Sequence, residues 1–211
     1  LWTERYLNYK FNYINYKYNM KSGQKNEMLF VLSILKNPKE EYNANSLSKL
    51  MKISAMGSLK IARKLEKENI IKSRKVGRAN IYKINFNDYS KQYINFLLKK
   101  EINDTNPYVK RWVRDLEKVK SADAIILFGS ILVKGERAND IDALFIVNQN
   151  SLKKVKKEIE SLSSINDKKI HPVYQTKQDL VKHLKEDNKV ILNALRGLYL
   201  SGAGIIMEIL E

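Results

Sequence analysis

Cysteine is absent from this chain of 211 residues, proline occurs three times, and the only histidines are His171 and His183. Without cysteine there is no disulfide framework, no thiolate zinc site and no thiol nucleophile. The composition fits a reducing compartment, so a cytoplasmic location is expected. Two histidines alone cannot build a histidine metal cage. Long hydrophobic runs are lacking too. The stretches from Ala124 to Val133 and from Leu198 to Met207 are short and interrupted by Gly and Ser, so no bilayer span, anchor or signal peptide is visible and no membrane partner is expected.

What the chain does hold is positive charge and the apolar residues for packed cores. Lys and Arg number 39 against 23 Asp and Glu, a net charge of +16, and 44% of the residues are apolar. That excludes wholesale disorder and fits one large domain or two small ones. The charge is uneven: residues 21–90 carry 15 basic and 6 acidic side chains, net +9, whereas residues 91–211 carry 21 and 16, net +5. The front half is the one that seeks a polyanion.

Residues 1–19 hold five of the twelve tyrosines and four asparagines with no clear apolar period, and Met20 then opens a conventional pattern. Two readings are open. One is an extension upstream of the natural start, since Tyr, Asn, Lys and Ile are what AT-rich codons yield; the other is an aromatic arm that packs on the body or stacks on bases.

From Glu27, the spacing of Met28, Val31, Leu32 and Leu35 predicts a helix that stops at Asn37-Pro38. A second, short helix follows the polar run Asn43 to Ser46 and buries Leu47, Leu50 and Met51. Ser54 is the expected N-cap of a third helix with Leu59, Ala62 and Leu65 inward and Lys60, Arg63, Lys64 and Lys67 on its other face. Two strands, Ile70 to Val76 and Ala79 to Phe86, then turn about Gly77, with Tyr82, Ile84 and Phe86 on one face.

This order over roughly residues 24–87 resembles the winged helix-turn-helix family. The resemblance implies a recognition helix, Ala55 to Lys67, in the major groove of double-stranded DNA and a wing that sets Arg74, Lys75 and Arg78 against the backbone or minor groove. Independently of the family, nine basic residues against Glu66 and Glu68 between Ser58 and Lys83 form a stripe that would release counterions on DNA. The bland alternative is a protein-contact module with a solvated lysine face. A further amphipathic helix from Asn87 to Lys100 carries Tyr89, Tyr93, Ile94, Phe96 and Leu97, enough apolar surface to form a homodimer or to lean on the next domain. The polar run Glu101 to Asn106 before Pro107 reads as the boundary.

Beyond it, Tyr108, Trp112, Leu116 and Val119 mark a helix and Ala124 to Phe128 a strand. Phe128-Gly129-Ser130 is followed by Asp140-Ile141-Asp142 and the apolar run Ala143 to Val147. Side chains two apart on a strand share a side, so Asp140 and Asp142 present paired carboxylates while Ile141 turns into the core. Hard oxygen donors suit Mg2+, and a Gly-Ser turn lets backbone approach phosphate. Lys134 or Arg137 could add a cation, although solvated loop charge is the plainer reading of both.

The combined pattern resembles the DNA polymerase β-like nucleotidyltransferase superfamily, in its minimal form. That resemblance implies Asp140 and Asp142 as catalytic metal ligands for Mg2+, Gly129, Ser130 and Lys134 at the nucleotide, and transfer of a nucleoside monophosphate from an NTP to an unknown hydroxyl acceptor. The chain departs from the family where a third carboxylate is usual. His171 and Pro172 stand there, Asp167 comes too early, Gly135 lies one place late and Asn139 replaces a usual Ser. His171 could hydrogen-bond a nucleotide or act as a base, or simply pack or face solvent. A helix at Leu152, Val155, Ile159 and Leu162 precedes the strand Lys169 to Tyr174, and Thr176 with Asp179 forms a capping box. A helical stretch at Lys189 to Leu195 follows, His183 is expected on a solvated face, and the apolar tail Leu198 to Leu210 should close the core or form an interface.

The expected protein is therefore α/β (α+β) with two domains. Residues 1–19 are an extension, 20–87 the winged helix, 88–106 a connecting helix and linker, and 107–211 a nucleotidyltransferase fold with a short mixed β-sheet flanked by helices. The competing function is a non-catalytic DNA-binding regulator or antitoxin-like protein whose second domain binds nucleotide or a protein partner.

Overall fold

The computed structural model describes residues 22–211, so both readings of residues 1–19, and Met20, lie outside the described residues. The chain is a mixed α/β protein with ten α-helices and two small sheets among the described residues. Its contacts fall into two compact units, 22–97 and 98–211.

The first unit begins with α1 (Ser22–Lys36), which starts before the expected Glu27. Met28, Leu29, Phe30, Val31 and Leu32 are all buried, so this helix is enclosed on several sides and its periodicity is blurred. In α2 (Ala44–Met51) the polar run proves to be the helix start: Asn43 Oδ1 accepts from Ser46 N at 2.8 Å and Ser46 Oγ accepts from Asn43 N at 3.0 Å. Leu47 and Met51 are buried as expected, Leu50 only half so. Ser54 caps α3 (Ala55–Lys67) by accepting from Gly57 N. Ala62 and Leu65 are buried, but Leu59 is half-buried and Ser58 takes the inward position.

An antiparallel hairpin follows, β1 (Ile71–Val76) and β2 (Ala79–Ile84), turning at Gly77. Ile81 is buried along with Tyr82 and Ile84, and Phe86 lies past the strand, so the expected one-face alternation fails at both ends. The cause is a second neighbour. Tyr82 N donates to Tyr42 O at 2.8 Å, which pins β2 to the loop before α2. Tyr82 also lies against Phe30, with ring centroids 5.7 Å apart. Helix α4 (Asp88–Asn103) buries Ile94, Leu97, Leu98 and Glu101, so the polar run expected as linker is helical through Asn103.

In the second unit, Asn106 caps α5 (Pro107–Leu116) with Pro107 in the first turn. Val109, Trp112, Val113 and Leu116 make one buried stripe, each large side chain contributing about 1.5–3 kcal/mol on leaving water. The sheet order is β5-β4-β3-β6. Strand β3 (Ala124–Phe128) pairs antiparallel with β4 (Asp140–Ile146) and with β6 (Leu198–Ser201), while β4 runs parallel to β5 (Lys169–Gln175). The parallel step needs a crossover, and α7 (Leu152–Ser164) supplies it. Helices α5 and α7 share one core with Ile125, Leu127, Ile141, Phe145 and Ile170. A short α6 (Ile131–Lys134) and a 3-10 turn, Gly135–Arg137, link β3 to β4.

After β5 come α8 (Lys177–Lys185), capped by the expected Thr176–Asp179 box, then α9 (Lys189–Ala194) and α10 (Ala203–Leu210). The tail closes the core through a strand that the sequence did not announce, since its four residues are too few to show a period. Among the described residues no helix is long and apolar enough to cross a membrane.

Candidate functional site

The end of β3 and the start of β4 meet because Phe128 pairs with Asp142. The chain leaves β3 at Gly129 with φ +82°, and a Cβ there would collide with the Asp142 carboxylate. Only glycine satisfies both demands. Ile141 is fully buried, which fixes the strand's facing, so Asp140 and Asp142 emerge together on the other side.

On the far side of β4 the parallel register sets His171 beside Asp142. His171 Nδ1 stands 3.4 Å from Asp140 Oδ2 and 3.9 Å from Asp142 Oδ1. One donor atom from each of the three residues lies within 4.8 Å of the others. Their side chains are 36%, 31% and 47% exposed, respectively for Asp140, Asp142 and His171, so the cluster is supported from below and open above. No other hydrogen bond or ion pair reaches either carboxylate among the described residues. Burial first, then the like charge of Asp140, pushes the Asp142 carboxyl above its ordinary value, while His171 pulls it down. Two half-buried anions thus face one imidazole, an imbalance that a divalent cation would relieve. The chemistry of the donor set fits such an ion, with two hard oxygens and one nitrogen.

The remaining expected residues divide. Ser130 opens α6, and its hydroxyl makes no cap hydrogen bond. Lys134 and Arg137 are exposed, and neither pairs with Asp140 or Asp142 among the described residues. Asp167 is committed elsewhere, 3.5 Å from Arg111. His183 is half-buried, and its Nδ1 lies 2.7 Å from Gln175 Oε1, so the expected solvated histidine instead ties α8 to β5. The residue that sequence reasoning undervalued is His171; the strand register, unreadable from one sequence, is what brings it to the carboxylates.

In the first unit Lys60, Arg63, Lys64 and Lys67 are all exposed on α3, and Arg74, Lys75 and Arg78 are exposed on the hairpin. They are not equivalent. Lys64 Nζ donates to Glu27 at 2.7 Å and lies 4.0 Å from Glu68, and the hydrogen bond to Glu27 holds its ammonium above the ordinary range. Arg74 pairs with Glu41. Among the described residues, Lys60, Arg63, Lys67, Lys75 and Arg78 have no such partner.

No protein-family model and no curated protein matches the chain.

Proposed function

We propose that residues 98–211 form a minimal nucleotidyltransferase of the DNA polymerase β-like type, joined to a winged helix that binds double-stranded DNA. The observation that carries the reading is the convergence of Asp140 and Asp142 with the Gly129 turn, which packs its backbone on the Asp142 carboxylate. In this reading Asp140 and Asp142 hold Mg2+ brought in with an NTP. The ion, when bound, supplies charge neutralisation at the triphosphate and lowers the pKa of an attacking hydroxyl.

The chain's own part is positioning. The Gly129-Ser130 backbone receives the phosphates, and the Ser130 hydroxyl, uncommitted to its helix, can donate to one of their oxygens. The acceptor oxygen forms a bond to the α-phosphorus as the bridging bond to the β-phosphate breaks. Pyrophosphate leaves and the hydroxyl proton passes to solvent or a carboxylate. The open side of the cluster leaves room for a macromolecular acceptor.

A second reading has its own support. Among the described residues, seven exposed cations on α3 and the hairpin, Lys60, Arg63, Lys67, Lys72, Lys75, Arg78 and Lys83, pair with no acid, which suits a regulator whose second unit binds nucleotide or a protein. The two are separated by incubating the protein with each radiolabelled NTP, Mg2+ and a cell extract as acceptor pool. Transfer that Asp142→Ala lowers by about 10³-fold supports the enzyme. Binding of NTP without transfer, alongside salt-sensitive duplex binding that survives Asp142→Ala, supports the regulator. Label transferred by the Asp140→Ala, Asp142→Ala double variant overturns the metal-site assignment.

A further inference from the structure

We infer that His171 is the third metal ligand of the Asp140–Asp142 site, and that the resulting mixed donor set prefers a first-row transition cation such as Mn2+ to Mg2+. The inference rests on the metal-site part of the reading above and is independent of whether nucleotide is transferred.

Strands β4 and β5 are parallel, and Asp142 pairs with His171, so both side chains leave the sheet on the same face. Asp140 joins them from two residues back. Two ligands at right angles about an ion held at ~2.1 Å stand about 3 Å apart. His171 Nδ1 lies 3.4 Å from one carboxylate oxygen and 3.9 Å from the other, separations that a small side-chain rotation would bring to that value.

Charge makes the same point. His171 Nδ1 stands closer to Asp140 Oδ2 than to Asp142 Oδ1, 3.4 Å against 3.9 Å, and no other ion pair reaches the half-buried Asp142 among the described residues. Nor does any lysine or arginine pair with either carboxylate among the described residues. The three donors thus face one another with two carboxylates and one imidazole nitrogen and no lysine or arginine among them.

Donor chemistry then selects the ion. Mg2+ demands oxygen ligands and dehydrates reluctantly, so it gains little from an imidazole. Affinity for nitrogen donors rises along the first transition row from Mn2+ upward, and imidazole suits Fe2+, Ni2+, Cu2+ and Zn2+ best; Mn2+ stands at the low end of that row and close to Mg2+ in its liking for oxygen, which makes it the strictest member with which to test the effect of one imidazole. The carboxylates alone would suit Mg2+; His171 is what shifts the balance.

The test uses the full chain, with Mn2+ alone and Mg2+ alone as probes, at mildly alkaline pH. Calorimetry should give tighter Mn2+ than Mg2+ binding in the wild type. His171→Ala should weaken Mn2+ by at least about tenfold, as loss of even an outer-shell group does, while leaving Mg2+ within about twofold. His171→Asp should restore a hard third oxygen and tighten Mg2+. Pulsed electron paramagnetic resonance of bound Mn2+ should show nitrogen coupling from an imidazole in the wild type and in His183→Ala, and none in His171→Ala. Because His171 is half-exposed, these variants should keep the fold, which circular dichroism checks. Absence of nitrogen coupling in the wild type, or equal loss of Mn2+ and Mg2+ in His171→Ala, overturns the inference. Nitrogen-coupled Mn2+ in a protein that transfers no nucleotide leaves it standing while the transferase reading falls, and Mg2+-supported transfer without nitrogen coupling does the reverse.

Discussion

The two units would use charge in opposite ways. In residues 22–97 the candidate contacts lie on the surface, spread along α3 and the hairpin, and two of them, Lys64 and Arg74, are already balanced by acids on the same unit. In residues 98–211 three groups from two strands point at one small volume and are left short of positive charge. A distributed surface tolerates the loss of any one contact, because each phosphate contact contributes a similar share. A convergent site does not, because its groups act on one ion.

The sharpest way to break this comparison is at Gly129. Gly129→Ala adds a methyl that collides with Asp142 and forces a left-handed backbone on alanine. It should lower metal-dependent transfer, or metal binding where no transfer occurs, by about 10²-fold. Duplex affinity should hold within twofold in a mobility-shift assay. If duplex binding falls in parallel, the two units do not act independently.

A smaller effect sharpens the distributed side. Lys60→Ala and Arg63→Ala should each reduce the slope of log affinity against log salt by about 1. Lys64→Ala should change it less, since Glu27 and Glu68 already occupy that ammonium. Equal slopes for all three would mean that the acids release Lys64 on binding.

The smallest effect concerns stability. Burial and Asp140 hold the Asp142 carboxyl above its ordinary value, so the folded state favours the protonated form. The sign follows from linkage: that contribution is present below the unfolded carboxyl's pKa and is lost as pH rises through the folded one. In chelator at neutral pH, Asp142→Asn should therefore stabilise the protein by about 1 kcal/mol, a rise in Tm of roughly 2–4 °C. The gain should vanish in acid, and a destabilised variant would show that the carboxylate is satisfied in a way its surroundings do not suggest.

How much of this could be read from the sequence depends on how local each feature is. The Ser54 and Thr176 caps, the strand Ala124–Phe128 and the facing of Ile141 are fixed by neighbours within a few positions, and each is where it was expected. The start of α1 was missed because a helix enclosed on several sides has no polar face to set its period. Strand β6 has too few residues to carry an alternation, and the burial of Ile81 beside Tyr82 breaks the alternation that β2 would otherwise show. His171 belongs to the same kind. Its residue type was visible, but its partnership with Asp142 exists only once β4 and β5 align.

That alignment has an evolutionary consequence. Since the register of β5 is held by Ile170 in the core on one side and by seven consecutive pairings along β4, position 171 faces the carboxylates whatever its side chain. If His171 is a ligand as proposed, metal preference in such a scaffold is a trait of one codon, open to drift or selection without any rebuilding of the backbone. A shift of the strand by a single residue would carry position 171 to the opposite face and remove the trait altogether.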